Sequence, residues 1–501
     1  MKKTFIPILC SVLGIVAVLA VLQSLSFYAD RLINHSVSPW WKIIFFSDPD
    51  TARYAISTTS SALAAVLGIT ITLVLIAVQL TATHYTPRVI DLFTRDRLNI
   101  FMFCLFVASI VFNFWSVFLI RVVDVGEHFM PHLSLLISII LATVCFALLI
   151  PYFFYLFHSL KPDSIIEKIK QEALGSFRGI QKSKQLPQAR ERVISRIHQI
   201  GDMAKSAVIQ MDVNVAQTSI QALQEMVLDY IVLKATFPEK WFTDIAFMEY
   251  TASTVERIRV QKTWMEMKVS LQLNIIFNLA LNQSKDIANA VLISNRLIGE
   301  RASELDDDHV THLIIKSFNT MMKESIQHKD KFTTYNALYQ YRLLAQKLLD
   351  RPDDLYLVEK ITSYFKYYGE MAEAMQVPFI LDTAAYDLNC LNQSAWLNQV
   401  DQKEKILKAF LAFPAQRGVL KMMTILGSFY LWKGDTALVD MVMDTLARQD
   451  AGVIASVCDD LLASHDPEFW ELTDRGINFD YVEPEQRECV RKIRETLCRT
   501  P

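Results

Sequence analysis

The sequence predicts an all-α protein, four transmembrane helices followed by a large helical cytoplasmic domain, and three observations lead there. Through Leu160 the chain holds four long apolar runs with few charges. From Lys161 onward charged residues are frequent and apolar residues recur at steps of three and four, the period of an amphipathic helix. Only 13 glycines in 501 residues leave little for the phosphate-binding turns of an extensive α/β nucleotide domain. The mean hydropathy of +0.24 and net charge of -3 average over these two populations. The expected division is a membrane domain over 1–160, an amphipathic continuation and linker over 161–187, and a helical domain over 188–501 that divides again near 300–350.

The first apolar run extends from about Phe5 to Phe27 behind Lys2 and Lys3. It is too long for the core of a signal peptide and no small-residue cleavage site follows, so an uncleaved first helix is expected. The segment SPWWKIIFF, with Trp40 and Trp41 beside Lys42, has the composition of an interfacial belt. Asp48 is placed to cap the next helix, with Pro49 and Asp50 in its first turn.

That second span, Tyr54 to Thr83, carries no charge and is long enough at 1.5 Å per residue to cross a hydrocarbon core of roughly 30 Å. Ser57, Ser61, Ala64, Gly68, Thr72, Gln79 and Thr83 recur on it at steps close to three, four and seven, which puts them on one face. Such a stripe either packs closely against another helix or lines a water-filled path made by several copies of the chain. The third span, about Asn99 to Ile120, holds Asn113 deep in apolar sequence near Ser109 and Ser116, where it needs a helix partner or water. The fourth begins after Met130-Pro131-His132 and contains Pro151, where a bend or an opened hydrogen-bond ladder is expected.

Basic residues cluster at Lys2 and Lys3, at Arg88, Arg95 and Arg97, and at Lys161, Lys168 and Lys170, alternating with more acidic connections. The positive-inside rule then puts both termini in the cytoplasm, and the expected location is the cytoplasmic membrane, crossed several times.

The segment from Gln79 to Arg97 contains Gln79-Leu80, then Tyr85-Thr86-Pro87-Arg88, then Arg95-Asp96-Arg97. It resembles an uncharacterised family of bacterial predicted membrane proteins, known only as a domain of unknown function. Pro131-His132 fits the same pattern, and the likeness covers residues 54–160. Where that family often has Ser-Pro-x-x-Asn-Asp-Pro, this chain reads MDVNVAQTSIQAL from Met211. The resemblance implies a membrane domain joined to a cytoplasmic domain and implies no reaction. Independently of it, Tyr85, Pro87, Arg88, Asp91, Arg95, Asp96 and Arg97 form a cytoplasmic elbow, read either as a rigid ion-paired turn or as an anion-attracting vestibule.

In the C-terminal part helices of about 14 to 20 residues alternate with Pro, Gly or Asn turns, a rhythm that suggests stacked helix pairs. The tract Glu304 to His309 is best read as an acidic cap on the following helix, and His309 with His312 lacks further metal ligands. Seven cysteines form no CxxC pair, and no basic block points to nucleic acid. No catalytic, cofactor or metal constellation is found. The function expected is a homo-oligomeric membrane channel or channel-like protein with a cytoplasmic regulatory or assembly domain. The alternative is a membrane-anchored scaffold that binds cytoplasmic protein partners without enzymatic activity.

Overall fold

The computed structural model describes residues 17–30, 48–84, 96–122, 128–129, 131–178, 180, 186–243, 251–401, 403–470 and 475–498. They fall into two compact units, Met1–Ile165 and Ile166–Pro501.

In the first unit, α1 is Ala17–Asp30, α2 Pro49–His84, α3 Arg97–Leu119 and α4 His132–Ser159. Three of these, α2, α3 and α4, are long and apolar enough to cross a membrane; the described part of α1 is a shorter apolar helix. Of the first expected span only the second half is among the described residues, and it continues past Phe27 to Asp30. Asp48 caps α2 as expected: its carboxylate accepts the Thr51 amide at 3.0 Å and hydroxyl at 2.8 Å. Helix α4 runs unbroken through Pro151. Between α3 and α4 lies a short antiparallel pair that the sequence reading did not foresee, β1 Arg121–Val122 with β2 His128–Phe129.

Helices α2, α3 and α4 pack against one another. Towards the ends where α2 and α3 meet the 85–96 connection, the seam is apolar: Leu63, Met102, Phe106, Ala142, Cys145 and Tyr152 are buried together. Towards the other end Ala52, Ile56, Ile120 and Leu135 form a second cluster, and the Arg53 guanidinium donates to the Ile120 carbonyl.

The second unit is helical throughout its described residues, apart from an isolated bridge, Glu468 to Ile477. It begins within α5 Pro162–Arg178, and α6 Leu186–Ile209 and α7 Val213–Lys234 follow. Next come α8 Lys240–Thr243 and α9 Ala252–Gln261, with 244–250 outside the described residues. Then follow α10 Trp264–Ala280, α11 Lys285–Glu304, α12 Asp308–Gln327, α13 Lys331–Leu348, α14 Leu355–Ala374 and α15 Phe379–Leu397. The unit ends with α16 Lys403–Leu411, α17 Arg417–Lys433, α18 Thr436–Leu446, α19 Ala451–Ala463 and α20 Pro484–Leu497.

These helices stack in two layers. One contains α6, α10, α12, α14 and α16, the other α7, α11, α13, α15 and α17, each helix packing on its layer neighbours. One turn recurs between partners. A residue with positive φ ends the helix (Met211 60°, Asp306 58°, Lys329 54°, Gly434 79°) and is followed by an aspartate that caps the next. The amide after each positive-φ residue returns to a carbonyl of the last turn, as Asp212 to Ala207 at 2.9 Å and Asp307 to Ala302 at 2.9 Å. This satisfies carbonyls that a helix end would otherwise leave open and reverses the chain in very few residues. The same cap at Gln376 and Gln399 is followed by Val377 and Val400, which are buried. Stacked helix pairs are thus a consequence of a repeated local turn, and each pair buries its apolar face on the next.

Candidate functional site

In the first unit, three helices each carry polar residues at helical spacing on an inward face. On α1 these are Gln23, Ser26 and Asp30; on α3, Ser109, Asn113 and Ser116; on α4, Ser134 and Ser138. All eight are buried, at 6% exposure or less. Steps of three and four aim each set at one line, so the helices share a polar column inside an otherwise apolar bundle.

The column is anchored at the start of α4. Asp30 accepts the backbone amides of Leu133 at 2.6 Å and Ser134 at 3.2 Å, and the Ser134 hydroxyl at 3.0 Å. A carboxylate there meets the open amides and the positive end of the helix dipole. Ser26 and Ser134 share a further hydrogen bond. Next along the column, the Ser116 hydroxyl donates to its own Phe112 carbonyl at 2.9 Å and accepts from Gln23 Nε2 at 3.3 Å and from Ser138 at 3.4 Å.

Beyond Ser116 the column opens into a cavity of about 120 Å³ lined by Ala55, Ile56, Thr59, Asn113, Leu135, Ser138 and Ile139. Asn113 is fully buried, yet neither its amide nitrogen nor its oxygen meets a hydrogen-bond partner among the described residues. The Gln23 side-chain oxygen likewise meets none. Leaving such groups unmet costs about 1–3 kcal/mol each, and the cavity has room for a few waters at roughly 30 Å³ apiece. The arrangement can therefore hold a small neutral hydrogen-bonding guest. It does not fit a multivalent metal: no group of three acidic, histidine or cysteine ligands occurs among the described residues. Next along α3 come Phe106 and Met102, which are buried with Leu63 in the apolar cluster.

The stripe of α2 lies elsewhere. Ser57, Ser61, Ala64, Gly68, Thr72, Gln79 and Thr83 are all exposed, while the buried positions of α2 are Ala52, Ile56, Leu63, Thr70, Val74, Val78, Thr81 and Ala82. Asn113 and the stripe are on opposite sides of α2: the cavity beside Asn113 is lined by Ala55, Ile56 and Thr59. Close packing of the stripe within the chain is therefore not what is seen. Its hydroxyls bond their own helix: Ser61 to the Ser57 carbonyl at 2.9 Å, Thr72 to Gly68 at 2.9 Å and Thr83 to Gln79 at 3.1 Å. A Cβ added at Gly68 would meet nothing within 4 Å.

Of the elbow, Tyr85, Pro87, Arg88, Asp91 and Arg95 lie outside the described residues. Asp96 caps α3 by accepting the Leu98 amide at 2.9 Å and takes the Tyr155 hydroxyl at 2.8 Å, tying α3 to α4. Nearby, Tyr152 donates to Asn99 at 3.2 Å. Sequence reasoning found Ser109, Asn113 and Ser116 but missed Gln23, Ser26, Asp30, Ser134 and Ser138. The same three-and-four spacing that marked the α2 stripe was there to find them.

Residues 2–224 match the family of predicted membrane proteins DUF2254. Those residues, a little under half of the chain, are similar to that family. The match takes in all of the polar column and reaches into α7, and it shows the family resemblance read from the Gln79 to Arg97 segment. An uncharacterised protein of Mycobacterium bovis and two of Mycobacterium tuberculosis are each 27% identical over 139 residues, 27% of this chain and 26% of the relative. The matched stretch thus spans about a quarter of those relatives' length. No solved structure matches. With the DUF2254 region carrying long apolar helices, the chain is a bacterial membrane protein with a large helical region behind its membrane helices.

Proposed function

We propose that this protein is a homo-oligomeric, channel-like membrane protein whose conducting path is lined by α2, with the helical unit on the cytoplasmic side serving assembly or regulation. One observation carries the reading: the stripe of α2 faces away from α3 and α4 and extends from Ser57 to Thr83. At 1.5 Å per residue that is about 39 Å, more than the hydrocarbon thickness. A face of small residues along the whole span suits close approach of other copies, and Gln79 on it is better placed against water than against lipid. The positive-inside arrangement puts both termini in the cytoplasm.

The test is conductance of the purified protein in planar bilayers, with its subunit count read in lipid nanodiscs. Thr72→Leu and Gln79→Leu should lower ion flux without changing the subunit count. Unchanged flux would count against α2 as the lining.

A second reading is favoured by the stacked helix pairs of the second unit, an architecture suited to extended binding surfaces. It makes the protein a membrane-anchored scaffold for cytoplasmic partners. Removing the residues after Lys161 should then abolish partner recovery from detergent extracts; unaltered recovery would remove this reading's main support.

A further inference from the structure

The cavity beside Asn113 has a mouth, and its position defines what can enter. Among its walls Asn113, Ile56, Leu135 and Ser138 are buried, whereas Ala55 and Thr59 on α2 are half-buried and Ile139 on α4 is 42% exposed. Along the helices the described residues close it at both ends. One turn further on, Leu63 and Ala142 are packed in one apolar cluster; one turn back, Ala52 and Ile120 are packed in the other. The opening is therefore sideways, between α2 and α4. At about 100° per residue, Ala55 and Thr59 fall to one side of Ile56, and Ser57, Ser61 and Gly68 to the other. The mouth thus lies on the flank of α2 away from the stripe, and it stays open whether or not copies meet at that stripe.

Depth and charge narrow the guest. Thr59 is six residues beyond Arg53, Asn113 six before the end of α3 at Leu119, and Ser138 six after the start of α4 at His132. At 1.5 Å per residue each lies about 9 Å inside those points, beside the first part of the acyl chains in a hydrocarbon core of roughly 30 Å. No charged side chain among the described residues lines the cavity, so an ion drawn to that depth would go unpaired. Asn113 offers a donor and an acceptor side by side, both unmet among the described residues. A guest that meets both presents an acceptor beside a donor and carries no charge. An apolar cavity of about 150 Å³ takes benzene, so the 120 Å³ here encloses about five non-hydrogen atoms. Anything longer continues through the mouth, over Ile139 and the exposed Ile140.

We propose that this cavity binds the head of an uncharged single-chain amphiphile of the primary carboxamide type, taken up sideways from the bilayer. The carboxamide donates to the Asn113 oxygen and accepts from the Asn113 nitrogen, and its alkyl chain passes out between α2 and α4.

The test uses the full-length protein in nanodiscs and dodecanamide with a photoreactive diazirine next to its head, cross-linked peptides being mapped by mass spectrometry. Labelling is expected at 55–59 and 135–139, saturable and displaced by plain dodecanamide. Asn113→Leu, which fills the cavity, should weaken it about tenfold, and N,N-dimethyldodecanamide, which has no N–H, should compete about tenfold less well. No saturable labelling at those residues, as when water alone fills the cavity, overturns the proposal. Equal labelling of the Asn113→Leu protein, or equal competition by the dimethyl amide, overturns it too. If Asn113→Leu does not fold, Ile139→Trp, at an exposed position, narrows the mouth and should reduce labelling severalfold; unchanged labelling overturns the proposal. Displacement by propanamide added in water at the same concentration as dodecanamide would assign the guest to the aqueous phase and overturn uptake from the bilayer.

Discussion

The carboxylate of Asp30 accepts both the backbone amide and the hydroxyl of Ser134, at 3.2 and 3.0 Å, and so joins the end of α1 to the start of α4. Asp30→Asn keeps the shape but removes the charge that faces the α4 amides. A partly buried anion at a helix N-terminus is worth up to about 2 kcal/mol. The expected result is a lower unfolding temperature in nanodiscs, with a smaller loss for Ser134→Ala, which spares both backbone bonds. Equal unfolding temperatures for Asp30→Asn and wild type would show that α1 contributes nothing to the unit's stability.

Asn113→Leu removes an amide with no partner among the described residues and fills part of the 120 Å³ cavity with hydrocarbon. Replacing an unmet buried polar group by an apolar one is neutral or stabilising, by about 1 kcal/mol. The unfolding temperature is expected to hold or rise. A clear fall would mean that the amide holds a bound guest whose loss outweighs the gain in packing.

How much of this was readable beforehand follows from what each signal encodes. Three of the four expected spans and the stacked pairs were legible because apolar period and helix length are local properties: the Met211-Asp212 and Gly434-Asp435 turns each carry their own instruction. The polar column was only partly legible. Asn113 stands out alone in an apolar run, but Asp30 reads as the end of a span until α4 is placed beside it, 103 residues away in sequence. That stripe and column lie on opposite sides of α2 depends on which face α3 and α4 cover. The buried ion pair of Arg475 with Asp387, 88 residues apart, has no local pattern.

The turns give an opposed pair of expectations. Gln376 adopts φ 64° and Gly434 φ 79°, both left-handed conformations. Gln376→Gly relieves a strain of roughly 1 kcal/mol, whereas Gly434→Ala introduces it, since nothing within 4 Å would clash with the added carbon. Thermal denaturation should move up for the first and down for the second. A loss at Gln376→Gly would show that its side chain contributes more than its backbone costs.

Acid should weaken one surface link in a predictable window. The hydrogen bond from Arg417, opposed by some burial and helped by Lys421, holds Asp460 below its ordinary 3.8. Because the folded value is depressed, the stabilisation is fully present above about pH 3.8 and is lost as the pH falls through the lower folded value. Arg417→Gln should therefore be less stable than wild type at pH 7, with the difference closing below pH 3.8 in denaturant titrations. A difference that persists in acid would mean that Arg417 acts through packing and not through charge.

Gly68 separates the demands of the single chain from those of an assembly. Within one chain a side chain at this position meets nothing, and replacing a mid-helix glycine removes a penalty of roughly 1 kcal/mol. Gly68→Leu should thus leave the unit folded, or slightly more stable. In an assembly built on the α2 face, the same leucine would hold the helices apart where small residues allow close approach. The expected outcome is a reduced subunit count by native mass spectrometry or mass photometry with the unfolding temperature preserved. If the subunit count equals that of wild type, the copies do not meet at Gly68, and the exposed stripe must be explained by lipid or by a different partner. Because the hydroxyls of Ser61, Thr72 and Thr83 are already bonded to their own helix, exposure to lipid would cost that face little beyond Gln79, whose amide would then have to reach the headgroups.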